Sequence, residues 1–129
     1  MREEVLEAGE REARVSRSGP ADAALWFGIV VPPLAWAANE LLGLVLTDWV
    51  CDTGRRWPLH LITAVAFLTA ASAGWISWQA GVPLEGEPDD SRIAKRRRFM
   101  RTLAMLLTGF FLLVILAGAV PGAVHRPCD

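Results

Sequence analysis

Residues 24–51 read ALWFGIVVPPLAWAANELLGLVLTDWVC, and this stretch decides the fold. From Ala24 to Thr47 the only side chain with a formal charge is Glu40. A helix of this length covers the roughly 30 Å hydrocarbon core of a bilayer, so the stretch is predicted to be a membrane span. An ionisable side chain at that depth costs on the order of 2.5 kcal/mol or more and normally faces protein or water. Glu40 is therefore a candidate functional residue.

Two further apolar stretches are long enough to cross a membrane. With 129 residues and 53% hydrophobic content, the chain has room for three spans and short connections, but not for a soluble catalytic domain. The predicted fold class is all-α, an integral membrane bundle of three transmembrane helices. A cytoplasmic tail (1–21) precedes a membrane domain (22–129), with spans at about 24–50, 59–81 and 99–120 and a cytoplasmic loop at 82–98.

Lys and Arg residues predict the orientation. An N-terminus in the cytoplasm puts ten of the 13 on the inner side and leaves Arg55, Arg56 and Arg126 outside, as the positive-inside rule requires. The C-terminus is then periplasmic or extracellular, and the expected location is a bacterial cytoplasmic membrane. The strongest basic cluster sets this topology and could also bind anionic lipid head groups; it comprises Lys95, Arg96, Arg97, Arg98 and Arg101.

Local signals predict where the helices begin, bend and end. Asp22 is a candidate N-cap for the first span, and the pair Pro32 and Pro33 predicts a kink within it. Pro121 and Gly122 are expected to end the third span.

Small residues predict the helix contacts. Ala66, Ala70 and Gly74 recur every four residues on the second span, so neighbouring backbones can approach closely there. Phe110 and Phe111 on the third span are expected to face lipid.

Cys51 and Cys128 both fall on the predicted outer side, one after the first span and one after the third. A disulfide is the leading interpretation, because two cysteines at matched depth in an oxidising compartment tend to pair. The alternatives are two free thiols, or a zinc or copper site that adds His60 and His125. No close Cys or His spacing supports the metal site.

Asn39 and Glu40 form a polar pair within the first span, and Trp36 lies one turn earlier on the same helix face. One interpretation is a carboxylate that conducts protons or faces a quinone. The other is a buried polar contact to a neighbouring subunit. Haem ligation by this chain alone is not expected, because only His60 lies in a span.

The segments GIVVPPLAWAANELLGLVLTDWVC and HLITAVAFLTAASAGWISW, with a third span that ends near a C-terminal Pro-Cys, resemble a group of small three-span bacterial membrane proteins. Those proteins often accompany haem-copper cytochrome c oxidases. The shared features fall on Pro33, Ala35, Trp36, Cys51 and Cys128. The resemblance implies an accessory or assembly subunit of a respiratory complex and supplies no catalytic residues.

We therefore expect a non-enzymatic protein without a cofactor. Its expected partners are membrane lipids and other integral membrane subunits, and no nucleic acid. The alternative hypothesis is a membrane anchor for haem or quinone, or a copper-handling factor that uses the outer Cys and His residues.

Overall fold

The computed structural model describes residues 1–81, 92–125 and 128; the side chains of residues 12–18 are outside this description. The described residues form three α-helices and no strand: α1 (Arg2–Thr53), α2 (Trp57–Ala80) and α3 (Arg92–Val124). Each helix contains a segment long and apolar enough to cross a membrane. The predicted all-α class, with three helices long and apolar enough to span a membrane, is confirmed.

Helix α1 is much longer than predicted. It begins at Arg2 and runs through Pro20, so the prediction that Asp22 caps its N-terminus is wrong. Glu, Ala, Arg and Leu dominate residues 2–14 and are good helix formers, so one missing proline donor does not end the helix. At 1.5 Å per residue α1 is about 80 Å long, and its first part extends well beyond a bilayer. The kink at Pro32 and Pro33 stays a prediction.

The connection between α1 and α2 is only three residues long. Gly54 adopts a left-handed conformation with φ 68°, and its N–H donates to the Val50 carbonyl at 2.8 Å. A residue with a Cβ is strained in that conformation, which explains glycine at this position. Pro58 occupies the first turn of α2, where its missing N–H costs nothing. The short connection makes α2 run back along α1.

Helix α3 extends beyond the apolar span at both ends. It begins at Arg92, so residues 92–98 of the predicted loop are helical, while residues 82–91 lie outside the described part of the chain. It continues through Pro121 to Val124, and the His125 N–H donates to the Pro121 carbonyl at 2.7 Å. The prediction that Pro121 ends the helix is wrong. Proline lacks the backbone N–H donor, but its carbonyl still accepts a hydrogen bond from the next turn.

The centre of the bundle is built from small side chains of α2. Ala66 and Ala70 of α2 form a buried cluster with Ile115 of α3. Trp36 and Phe67 pack against this cluster. Further along α2, Ala73, Gly74 and Ser77 are buried as well. Small residues let the helix backbones come close, which supplies the van der Waals contact that holds membrane helices together.

The two phenylalanines of α3 do not share one environment. Phe110 is exposed on the bundle surface, as expected of a lipid-facing residue. Phe111 is half-buried and its ring lies 5.7 Å from that of Trp36, measured between centroids. The expectation that Phe111 faces lipid is wrong, because α3 is rotated so that this ring fills space beside α1.

The buried small residues of α2 form a seam against the other two helices: Ala66, Ala70, Ala73, Gly74 and Ser77. This α2 seam generates a first prediction. Ala70→Leu adds three carbons to a fully buried position and is expected to lower the free energy of unfolding by about 1–3 kcal/mol. Ala64→Leu, on the exposed side of the same helix, is the matched control and should change it by less than about 0.5 kcal/mol. Detergent-induced unfolding followed by tryptophan fluorescence measures both. Equal effects of the two variants would contradict the seam.

Candidate functional site

Polar side chains gather at the two opposite ends of the bundle. The disulfide end contains Cys51, Cys128 and the connection at residues 54–56. The arginine end contains Arg97 and Arg101 of α3.

At the disulfide end, the sulfur atoms of Cys51 and Cys128 lie at bonding distance, with their Cα atoms 5.6 Å apart. Neither cysteine is free, so neither the free-thiol interpretation nor cysteine ligation of a metal describes this state of the chain. The bond closes a loop over a sequence separation of 77 residues. It ties the segment after α3 to the end of α1.

A half-open cavity of about 260 Å³, with several exposed lining residues, lies between the three helices in the half of the bundle nearest the disulfide. Helices α1 and α2 and their connection supply its polar lining, whereas α3 contributes only small apolar residues. The polar lining residues are Asn39, Glu40, Thr47, Arg56, His60 and Thr63. Sequence reasoning singled out Glu40 and His60 separately and did not bring them together.

Asn39 is half-buried and Glu40 is exposed. Within the described residues, neither side chain makes a hydrogen bond or an ion pair. The hydroxyl groups of Thr47 and Thr63 donate to carbonyls of their own helices, Gly43 at 2.7 Å and Leu59 at 3.0 Å. Each hydroxyl oxygen keeps its lone pairs as acceptors. Trp36 is one turn away and belongs to the apolar core.

The two histidines are separated in the structure. His60 lines the cavity, whereas His125 follows α3 and is not among the lining residues. A search of the described residues finds no group of three or more His, Cys, Asp and Glu side chains that could hold a metal ion.

The basic cluster of α3 divides into two kinds of residue. Arg97 is only 6% exposed, and its Nε lies 3.9 Å from Oδ1 of Asp22 on α1. The Arg101 guanidinium lies 3.9 Å from the centre of the Trp78 ring, a cation–π contact. Lys95, Arg96 and Arg98 are exposed. The spacing of Arg97 and Arg101 with the buried Ala104 and Thr108 is the sequence signal that could have separated these residues.

Sequence reasoning also missed a contact between α1 and α2. The Ser77 hydroxyl donates to the Ala24 carbonyl at 2.9 Å. It occupies the space where a Cβ on Gly28 would lie, so glycine is required there. The hydrogen bond from Ser77 and the missing side chain at Gly28 together allow close contact between the two helices.

Comparisons with protein-family models, curated proteins and solved structures found no match. The resemblance to the oxidase-associated membrane proteins stays a prediction based on the sequence motifs.

The arginine end generates a second prediction. Arg97→Gln removes a buried charge that faces Asp22, and it is expected to lower the free energy of unfolding by about 2 kcal/mol. Arg98→Gln, at the exposed neighbouring position, should change it by less than about 0.5 kcal/mol. The same detergent unfolding assay compares them. A loss no greater for position 97 than for position 98 would show that the contact with Asp22 contributes nothing.

The disulfide generates a third prediction. The chain as purified from an oxidising compartment should take up no maleimide-linked polymer, and it should take up two after reduction, because both cysteines are bonded. Gel mobility after labelling counts the additions. Cys51→Ser is the control and should take up one polymer without reduction. Labelling of the unreduced native chain would contradict the bond.

Proposed function

We propose that this chain is a non-catalytic accessory or assembly subunit of a respiratory membrane complex, in which it packs against other integral membrane subunits. One observation carries the proposal. Asn39 and Glu40 lie deep in a membrane-spanning helix, and neither is hydrogen-bonded within the described residues. Because polar groups at such depth need protein or water partners, the unpaired side chains support a contact with another membrane subunit.

The shape of the bundle supports a subunit role. Among the described residues the three helices bury few large side chains against one another, and many large apolar side chains remain exposed on their outer faces. Leu34, Leu41 and Val45 of α1 are among these residues. These faces can contact lipid or the helices of a larger complex.

The resemblance supports a haem-copper terminal oxidase as the complex. The excess of Lys and Arg near the arginine end supports an orientation with that end in the cytoplasm and the disulfide end outside. A disulfide at the outer end agrees with an oxidising compartment on that side. The expected location is a bacterial cytoplasmic membrane.

Purification of the native chain in a mild detergent tests the proposal. We expect integral membrane subunits of a respiratory complex to co-purify at a fixed stoichiometry. An absorption spectrum of the same fraction separates bound oxidase haem from haem held by this chain alone. Recovery of the chain without any other subunit would refute the accessory role, and a Soret band from that isolated chain would favour the haem-anchor alternative.

Substitutions at Glu40 provide the fourth prediction. Glu40→Leu removes the polar group and is expected to lower recovery of the partner subunits about tenfold, since a hydrogen bond between membrane helices contributes about 1–2 kcal/mol. Glu40→Gln keeps hydrogen-bonding capacity and should lose less. Leu68→Ala, exposed on α2 and outside the cavity lining, is the control and should leave the recovery unchanged. Unchanged assembly and turnover with Glu40→Leu would remove Glu40 from the interface.

A further inference from the structure

Glu40 lies far from the end of its helix. Thr47 lies seven positions further along α1, which is about 10 Å along the helix axis. The helix ends at Thr53, about 9 Å beyond Thr47. Exposed leucines at positions 41 and 42 flank Glu40 on the bundle surface. A carboxyl group surrounded by such residues in a bilayer is stable only where it faces protein or water.

The cavity connects Glu40 with the surface at the disulfide end. Arg56 lines the cavity and belongs to the connection between α1 and α2, so the cavity reaches the end of the bundle. Thr47, His60 and Thr63 lie between Arg56 and Glu40 along the helices. Polar groups therefore follow one another from the surface to the carboxyl group.

Glycine residues create the space. A Cβ added to Gly43 or Gly122 would meet no atom within 4 Å. A Cβ on Gly118 would meet only the Glu40 Oε1, at 3.6 Å. All three glycines line the cavity. At these three positions α1 and α3 present no side chain, and this keeps the space open.

We propose that this cavity is a water-filled vestibule that gives Glu40 access to water and hydrogen ions from the disulfide end. Six of the lining side chains are polar, and a space of this size holds ordered water where each water finds two or more polar partners. The charged and titratable groups that line it are Glu40 from α1, His60 from α2 and Arg56 from the connection; the lining residues of α3 carry none.

The inference does not depend on the proposed function. A partner subunit can cover the side of the bundle between α1 and α3 while the mouth beside Arg56 stays in water. Water access and subunit assembly are measured separately, so the failure of one leaves the other standing.

Single cysteines in vesicles test the vestibule and provide the fifth prediction. The native cysteines are bonded, so Gly43→Cys and Gly118→Cys each introduce one free thiol, and both side chains fit. A membrane-impermeant thiosulfonate is added from the side of the disulfide end. It reacts with the thiolate form of cysteine, which forms in a hydrated site and not in an apolar one. Val45→Cys and Ala117→Cys are matched controls, exposed on the same helices but outside the cavity lining.

We expect the two cavity positions to react at least about tenfold faster than their controls, because a thiol in an apolar setting stays protonated. Val45 is closer to the disulfide end than Gly43, so simple depth predicts the opposite order. The native chain should not react. Equal rates at positions 43 and 45 and at positions 118 and 117, or faster reaction at the controls, would overturn the vestibule.

A plug in the shallow part of the cavity tests its continuity. Gly122→Phe places a ring where the glycine leaves open space, and it is expected to slow the labelling of Gly118→Cys about tenfold by excluding water from the thiol. The labelling of Ala117→Cys should not change. Unchanged labelling at position 118 in the plugged chain would show that water reaches Glu40 by another route.

Discussion

Close approach of the three helices along α2 is the constraint on which the rest of the structure depends. Ala70, Ala73 and Ser77 are fully buried, and Gly74 lies against Thr108 of α3. In a bilayer, lipid is as apolar as the side chains, so hydrophobic burial does not drive these helices together. Contact area and hydrogen bonds must do so, and both require short distances between backbones. The small residues of α2 make those distances possible.

This packing satisfies polar groups at one end of the bundle and leaves them open at the other. At the arginine end, Ser77 bonds the Ala24 carbonyl, Arg97 faces Asp22, and Arg101 covers the Trp78 ring. At the disulfide end, glycines on α1 and α3 hold a cavity open beside Glu40. Glycine contributes to both ends. Where a neighbouring side chain fills the space beside a glycine, the helices are in tight contact; where no side chain fills it, a cavity remains.

Sequence reasoning went furthest where the signal is local. Apolar length predicted three spans, and the structure has three helices long and apolar enough to cross a membrane. Sequence reasoning failed at two helix boundaries, where Asp22 was expected to cap α1 and Pro121 with Gly122 to end α3. The helix continues past Pro20 and Pro121, because one lost donor is a smaller cost than abandoning neighbouring helical bonds in an apolar segment. Grouping all basic residues of α3 was a second failure, since Arg97 turns into the bundle.

The sequence by itself determined the helical class, the number of apolar segments and the presence of a carboxyl group deep in one of them. These follow from composition along a single helix, and no neighbour can change them. Only the tertiary structure decided which polar groups meet. Ser77 and Ala24 are 53 residues apart, and Glu40, His60 and Arg56 share a cavity although they lie on different elements. Such meetings depend on the rotation of each helix about its axis, which is set by contacts between residues distant in sequence.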